Sequence, residues 1–246
     1  MKSFAFALVG SMGLFAQDLP DQKSWAHPDD AEVLGEHLLG MNYLRGIGVT
    51  RDYERAFRLF GKAAGKGHAE SQYQLGRLYE SGAGGNKDLS LAAKWYTEAS
   101  KQGVTPAQFK LGRLYHNGEG LSPDFEKAAH WYQLAAEKGH AMAQNNLGML
   151  FHSGKGVAVD YLKAIKWYNL AARQGIAEAQ NNIAIMFAFG KGVKQDYVQA
   201  YAWVVVAKSN GVSNETFLEF LKSKIPPDQK SAAQLLAGKL IAGRQK

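Results

Sequence analysis

Apolar, small and polar positions follow one another in a pattern that repeats every 36 residues between positions 33 and 212, giving five copies in register. Leu39-Gly40, Leu75-Gly76, Leu111-Gly112, Leu147-Gly148 and Ile183-Ala184 mark one phase, and Trp95, Trp131, Trp167 and Trp203 another, with Leu59 in the first copy. Within a copy the spacing is helical. Ala69, Gln72, Leu75, Gly76 and Tyr79 share a face over residues 69–81, and Ala92, Trp95, Tyr96 and Ala99 recur every three or four residues along a second helix ending by Gly103. A Gly-x-Gly pair breaks the chain between the two helices of each copy, because glycine accepts the positive φ of a helix end. Asp52, Asp88, Asp124, Asp160 and Asp196 then stand where an N-cap is needed. The predicted fold class is all-α, built from five helix-turn-helix repeats. Such units bury their apolar faces only against neighbouring units, so they offer surface rather than a closed cavity. The first expectation is a binding protein.

The small residues Gly76, Gly112 and Gly148, with Ala92, Ala128, Ala164 and Ala200, predict close helix crossings, and the tryptophans are expected to fill the gaps beside them. Loss of one buried tryptophan ring is then expected to cost about 3–5 kcal/mol. The consensus is Ala-x-x-x-Leu-Gly-x-x-Tyr-x-x-Gly-x-Gly, then Asp-x-x-x-Ala-x-x-Trp-Tyr-x-x-Ala-Ala-x-x-Gly. It resembles the Sel-1-like repeat, a relative of the tetratricopeptide repeat, over about 180 of 246 residues. The segments Asn145-Asn146-Leu147-Gly148, Gly154-Lys155-Gly156-Val157 and Trp167-Tyr168 are most similar to the family pattern. Departures fall in the first copy (Leu59, Gly61), the second (Gly85) and the fifth (Ala184, Val204, Lys208). The resemblance implies a right-handed α-α superhelical solenoid with terminal caps that acts as a scaffold for protein partners. In bacteria it implies secreted adaptors in envelope assembly, signalling or host contact.

The flanks differ from the repeats. Met1-Lys2-Ser3, the apolar stretch Phe4–Phe15 and Ala16 have the order of a secretory signal, and the stretch is shorter than the ~20 residues that span a bilayer. The domain reading is 1–16 signal peptide, 17–32 linker or cap containing Trp25, 33–212 repeats, and 213–246 helical cap with a basic tail. In that last segment Leu235, Leu236, Leu240 and Ile241 are expected to share one apolar side. The formal charge is +7, and residues 219–246 carry six basic against two acidic side chains. The excess therefore sits on the tail, not as a stripe along the repeats, which argues against nucleic acid as a partner. No other segment is apolar enough to be an integral membrane span.

Catalytic signatures are missing. There is no cysteine, no His-Glu-x-x-His, no Gly-x-Ser-x-Gly and no phosphate-binding Gly-x-x-x-x-Gly-Lys. Some cysteine-rich relatives of the resembled family are described as β-lactamase-like, so a cell-wall enzyme of that type, or a peptidoglycan binder, is the alternative class. No serine here has lysine three residues later, and the expectation is no enzyme, no cofactor and no metal. His116 and His152 share a phase, as do His68 and His140. Stepping 100° per residue along the first helices leaves a stripe opposite the core phases. It carries Gln74 and Arg77, then Lys110, Arg113 and Asn117, then Asn146 and Met149, and finally Asn182, Ile185 and Phe189. This stripe is the expected groove for a protein partner or extended peptide, with asparagine amides able to bond a peptide backbone.

Overall fold

The computed structural model describes residues 28–242. The signal reading of residues 1–16 and the Trp25 portion of the linker lie outside the described residues. Among the described residues there are twelve α-helices and no strand. They are α1 Pro28–Arg45, α2 Tyr53–Gly65, α3 Ala69–Ser81, α4 Leu89–Lys101, α5 Thr105–Asn117 and α6 Phe125–Glu137. The remaining six are α7 Ala141–Ser153, α8 Tyr161–Arg173, α9 Ala177–Phe189, α10 Tyr197–Ser209, α11 Glu215–Lys224 and α12 Lys230–Ala242. Two compact units divide the chain. One runs to Ala107 and includes Glu119–Leu121; the other holds Gln108–Gly118 and everything from Ser122 onward.

Each second helix starts as its sequence dictates. The side-chain oxygens of Asp52, Asp88, Asp124, Asp160 and Asp196 each accept a hydrogen bond at 2.9 Å from the backbone N–H three residues on. One of the four N–H groups without a helical partner is thereby satisfied in every copy. Two first helices use histidine instead. His68 Nδ1 accepts from the Ser71 N–H at 3.2 Å, and His140 Nδ1 from the Ala143 N–H at 3.2 Å.

These histidine caps have a pH consequence. Burial holds His68 and His140 below the ordinary imidazole value. Burial, then His68 and Arg45, lower His37 to about 4. A base with a depressed folded pKa is stabilised in its neutral form. That stability is complete above the unfolded value of 6.5 and is lost as pH falls from there toward 4. The melting temperature is therefore expected to drop between pH 7 and pH 5. Asparagine caps without taking up a proton, so His68→Asn with His140→Asn should flatten that drop in thermal melts. An unaltered slope would exclude the caps as its source.

The core differs from the expectation in which ring fills the helix crossings. Trp95, Trp131, Trp167 and Trp203 are only partly buried. The adjacent Tyr96, Tyr132 and Tyr168 are sealed at 0–1% exposure, as is Phe60. A Cβ on Gly40, Gly76, Gly112 or Gly148 would stand 2.7–2.8 Å from the ring of Phe60, Tyr96, Tyr132 or Tyr168 respectively. The missing methyl is the space the ring occupies. Where the fifth copy has Ala184, its partner shrinks to Val204, and both are buried in one cluster. Ring hydroxyls are matched too. Tyr96 donates to Glu80 Oε2 at 2.5 Å, and the Tyr168 hydroxyl lies 3.5 Å from His152 Nδ1. Phe60 and Val204, which have no hydroxyl, meet Leu44 and Ala188 at that phase.

In the second unit the apolar helix α10 packs against α11 and α12, so the terminal helices do cover the last repeat. Asn214 caps α11 by accepting from the Phe217 N–H at 3.1 Å. The most buried residues of α12 are Ala233 and Ala237, and Leu236, Leu240 and Ile241 of the expected apolar side are partly buried on the same face. Leu235 alone departs from that side: it is 61% exposed, about 200° round the helix from Ala233.

Candidate functional site

The predicted stripe is only partly a surface. Gln74 and Arg77 belong to the first unit and the other eight residues to the second. Gln74 is buried at 9% exposure, contrary to its solvent-facing assignment, and accepts from Arg77 Nη1 at 3.0 Å. Helix α3 is flanked by α2 and α4, so its covered arc is wider than one apolar face. Arg77 is exposed, with its guanidinium 5.8 Å above the Tyr73 ring. Lys110 and Arg113 are partly buried and Asn117 is exposed.

On α7 and α9 the asparagines are already tied together. Asn182 Nδ2 donates to Asn145 Oδ1 at 3.2 Å, and Asn145 Nδ2 donates to Asn146 Oδ1 at 3.4 Å. Each amide keeps part of its capacity for a ligand, but the chain of bonds also fixes α7 to α9. Met149 is half-buried against the cluster of Ala164, Tyr168 and Ile183, and Ile185 is partly buried. Phe189 stays 55% exposed while stacking on Phe217 and Phe220 of α11, with centroids 6.4 and 6.5 Å away and planes within 11° and 16°. The cap helix thus extends the aromatic surface rather than burying it.

A cleft of about 440 Å³ opens beside this face in the second unit, and Met149 and Asn182 line it. Its other walls were absent from the sequence-based set. They include His116 on α5, His152 on α7, Tyr168 on α8, and two loop lysines, Lys155 and Lys191. Lys191 Nζ donates to His152 Nε2 at 3.2 Å, which leaves the imidazole proton on Nδ1, toward the Tyr168 hydroxyl. Burial and then the nearby Lys191 charge hold His152 below its ordinary value, and burial and then Lys155 do the same for His116. The cleft is cationic through its lysines, with neutral imidazoles beside them at pH 7. Among the described residues, no three metal-binding side chains converge. No helix of the described residues is long and apolar enough to cross a membrane.

The Sel1 repeat family model matches residues 33–68, 69–104, 105–140, 141–176 and 177–211. Among solved structures, a Sel1 repeat protein from Oxalobacter formigenes is similar at 33% identity, with a TM-score of 0.70. The match covers 77% of this chain and 79% of that one. A second is c5321, a protective antigen present in uropathogenic Escherichia coli strains displaying an SLR fold, at 29% identity and a TM-score of 0.54. That match covers 85% of this chain but 53% of the antigen, so this chain corresponds to about half of it. No curated protein matches the chain.

Proposed function

Because the chain belongs to the Sel1 repeat family, we propose that it is a non-enzymatic scaffold, exported to the bacterial envelope, that binds a protein partner through the first-helix face of its second unit. The observation that carries this reading is the open cleft bordered by Met149 and Asn182, two residues that the repeat phases alone had singled out. Phe189 stands on the same face of α9 as Asn182 and Ile185, and its exposed ring is the kind of aromatic anchor that protein interfaces use. The repeat core explains none of that exposure, since the core is closed by the glycine–tyrosine pairs elsewhere. Export is supported by the order of the charged start, the apolar stretch Phe4–Phe15 and the small Ala16. On the family resemblance, we assign it a role in envelope assembly, signalling or host contact.

In-cell crosslinking followed by identification of the captured protein tests the reading. The chain is expected in the periplasmic fraction, beginning near Gln17, with one stoichiometric partner. Phe189→Ala combined with Met149→Gln, which nearly conserves volume, should cut capture about tenfold, the effect of removing one interface anchor. Capture is compared well below the melting temperature of the double variant, which loses the packing of Met149 on its cluster and of Phe189 on Phe217 and Phe220. An intact N-terminus on cytoplasmic protein would refute export. Undiminished capture by the double variant would move the interface off this face.

A further inference from the structure

A three-residue cluster is built twice, 36 residues apart, and each copy gives the cleft a histidine and a lysine. In the first, the His116 ring meets Phe125 edge-on with centroids 5.3 Å apart, and Lys155 Nζ stands 5.3 Å from the centre of the same Phe125 ring. In the second, His152 meets Tyr161 edge-on at 5.7 Å, and Lys191 Nζ stands 5.5 Å from the Tyr161 centre. In both, an aromatic ring at the start of a second helix holds an ammonium over its face.

The fold does not require these cations. The positions equivalent to Lys155 in the first three copies are Ile47, Ala83 and Glu119, and those equivalent to His116 are Leu44, Glu80 and, in the last copy, Ala188. The repeat closes equally with apolar or acidic residues there. Nor are the cations neutralised. Other lysines near helix starts are paired, as Lys127 with Asp124 at 3.0 Å and Lys163 with Asp160 at 3.3 Å. Among the described residues, no carboxylate stands within 4.0 Å of Lys155 or Lys191. Lys191 spends one proton on His152 and keeps two. Asn182, bonded to Asn145 through one amide hydrogen, has its second to offer to the cleft it lines.

Two uncompensated ammonium groups, held on aromatic faces around one concavity with an amide donor on its wall, match a carboxylate in charge and in hydrogen-bonding type. We propose that the cleft receives an acidic side chain of an extended partner segment, its carboxylate between Lys155 and Lys191 and beside the Asn182 amide. Met149 then contacts the aliphatic part of that segment. This inference rests on the protein-binding reading above and names the chemistry the partner must present.

The test titrates the full chain with a fluorescently labelled hexaglutamate peptide and a hexaglutamine control, read by anisotropy. The glutamate peptide should bind and the glutamine peptide should not. Lys155→Gln with Lys191→Gln should weaken binding about tenfold or more, as loss of charge-assisted contacts does. Lys62→Gln with Lys166→Gln removes the same charge from exposed lysines elsewhere and should leave affinity within about twofold. Lys155→Arg with Lys191→Arg should retain binding, which separates loss of recognition from loss of fold. Equal weakening by the two glutamine pairs would reduce the effect to net charge and overturn the proposal. Competition by millimolar inorganic phosphate would overturn the carboxylate assignment in favour of a general anion site. If crosslinked partner capture persists undiminished in Lys155→Gln/Lys191→Gln, the carboxylate inference falls and the scaffold reading stands. If neither the peptide nor any partner is bound, both fall.

Discussion

Tyr168→Ala is expected to destabilise the protein by about 3–5 kcal/mol, the usual range for deleting a large buried aromatic side chain, and Trp167→Ala by clearly less. Tyr168 is 0% exposed and lies against Gly148, whereas Trp167, one residue earlier, is only partly buried. Tyr168→Phe should cost about 1 kcal/mol, because it removes only a hydroxyl that meets His152 at 3.5 Å. Gly148→Ala should cost about 1–3 kcal/mol through overpacking, since its new Cβ would stand 2.8 Å from the ring. The fifth copy makes the same crossing with Ala184 and Val204. Gly148→Ala with Tyr168→Val reproduces that pair, so its cost should fall short of the two single costs combined by about 0.5–3 kcal/mol. Urea denaturation of these five variants and of Tyr168→Val alone reads these values. Strict additivity of Gly148→Ala and Tyr168→Val would show that the two residues are not a matched pair.

The same crossing marks how far the sequence could be read. The period, the helix limits of Ala69–Ser81 and the five aspartate caps were legible because each depends on a local requirement: apolar spacing, a positive φ, or an unpaired N–H. Choosing between Trp167 and Tyr168 was not local. Adjacent aromatics on a helix point about 100° apart, and periodicity alone does not say which one faces the neighbouring helix. The signal was there in covariation between copies, since aromatic residues accompany Gly40, Gly76, Gly112 and Gly148, and valine accompanies Ala184. Leu235 differs for a related reason: an apolar side chain need not be a buried one, and about 200° from Ala233 it points away from the face that carries Leu236, Ala237 and Leu240. Gln74 failed because a helix between two neighbours has more than one covered side. The site was legible only in fragments. Met149 and Asn182 came from the phase of the first helices. His116 and Lys155 are 39 residues apart, on a helix of one copy and a loop of the next, and a reading confined to one helix face at a time does not join them.

Gly156→Ala is expected to cost about 3 kcal/mol or more, and Gly48→Ala about 1–2 kcal/mol, although both glycines hold the same place in their loops. Their backbones are nearly identical, with φ of +68° and +69°, so both substitutions carry the left-handed penalty of an L-residue. Their surroundings differ. A Cβ on Gly156 would fall onto the backbone carbonyl of Phe125, at the start of α6 in the preceding copy, while one on Gly48 would meet nothing within 4 Å. Backbone cannot swing aside as a long side chain can, so the clash at Gly156 must displace the loop or the helix start. The loop carries Lys155, whose ammonium sits above the Phe125 ring, so the same substitution should also disturb the cationic cleft. Gly84 faces the Tyr53 carbonyl in the first unit in the same way, and Gly84→Ala should behave like Gly156→Ala. The second glycine of each pair therefore has two jobs where a copy precedes it, and one where none does among the described residues. Denaturation midpoints for the three variants decide the matter: equal losses at Gly48 and Gly156 would leave only the φ requirement and remove close approach between copies from the account.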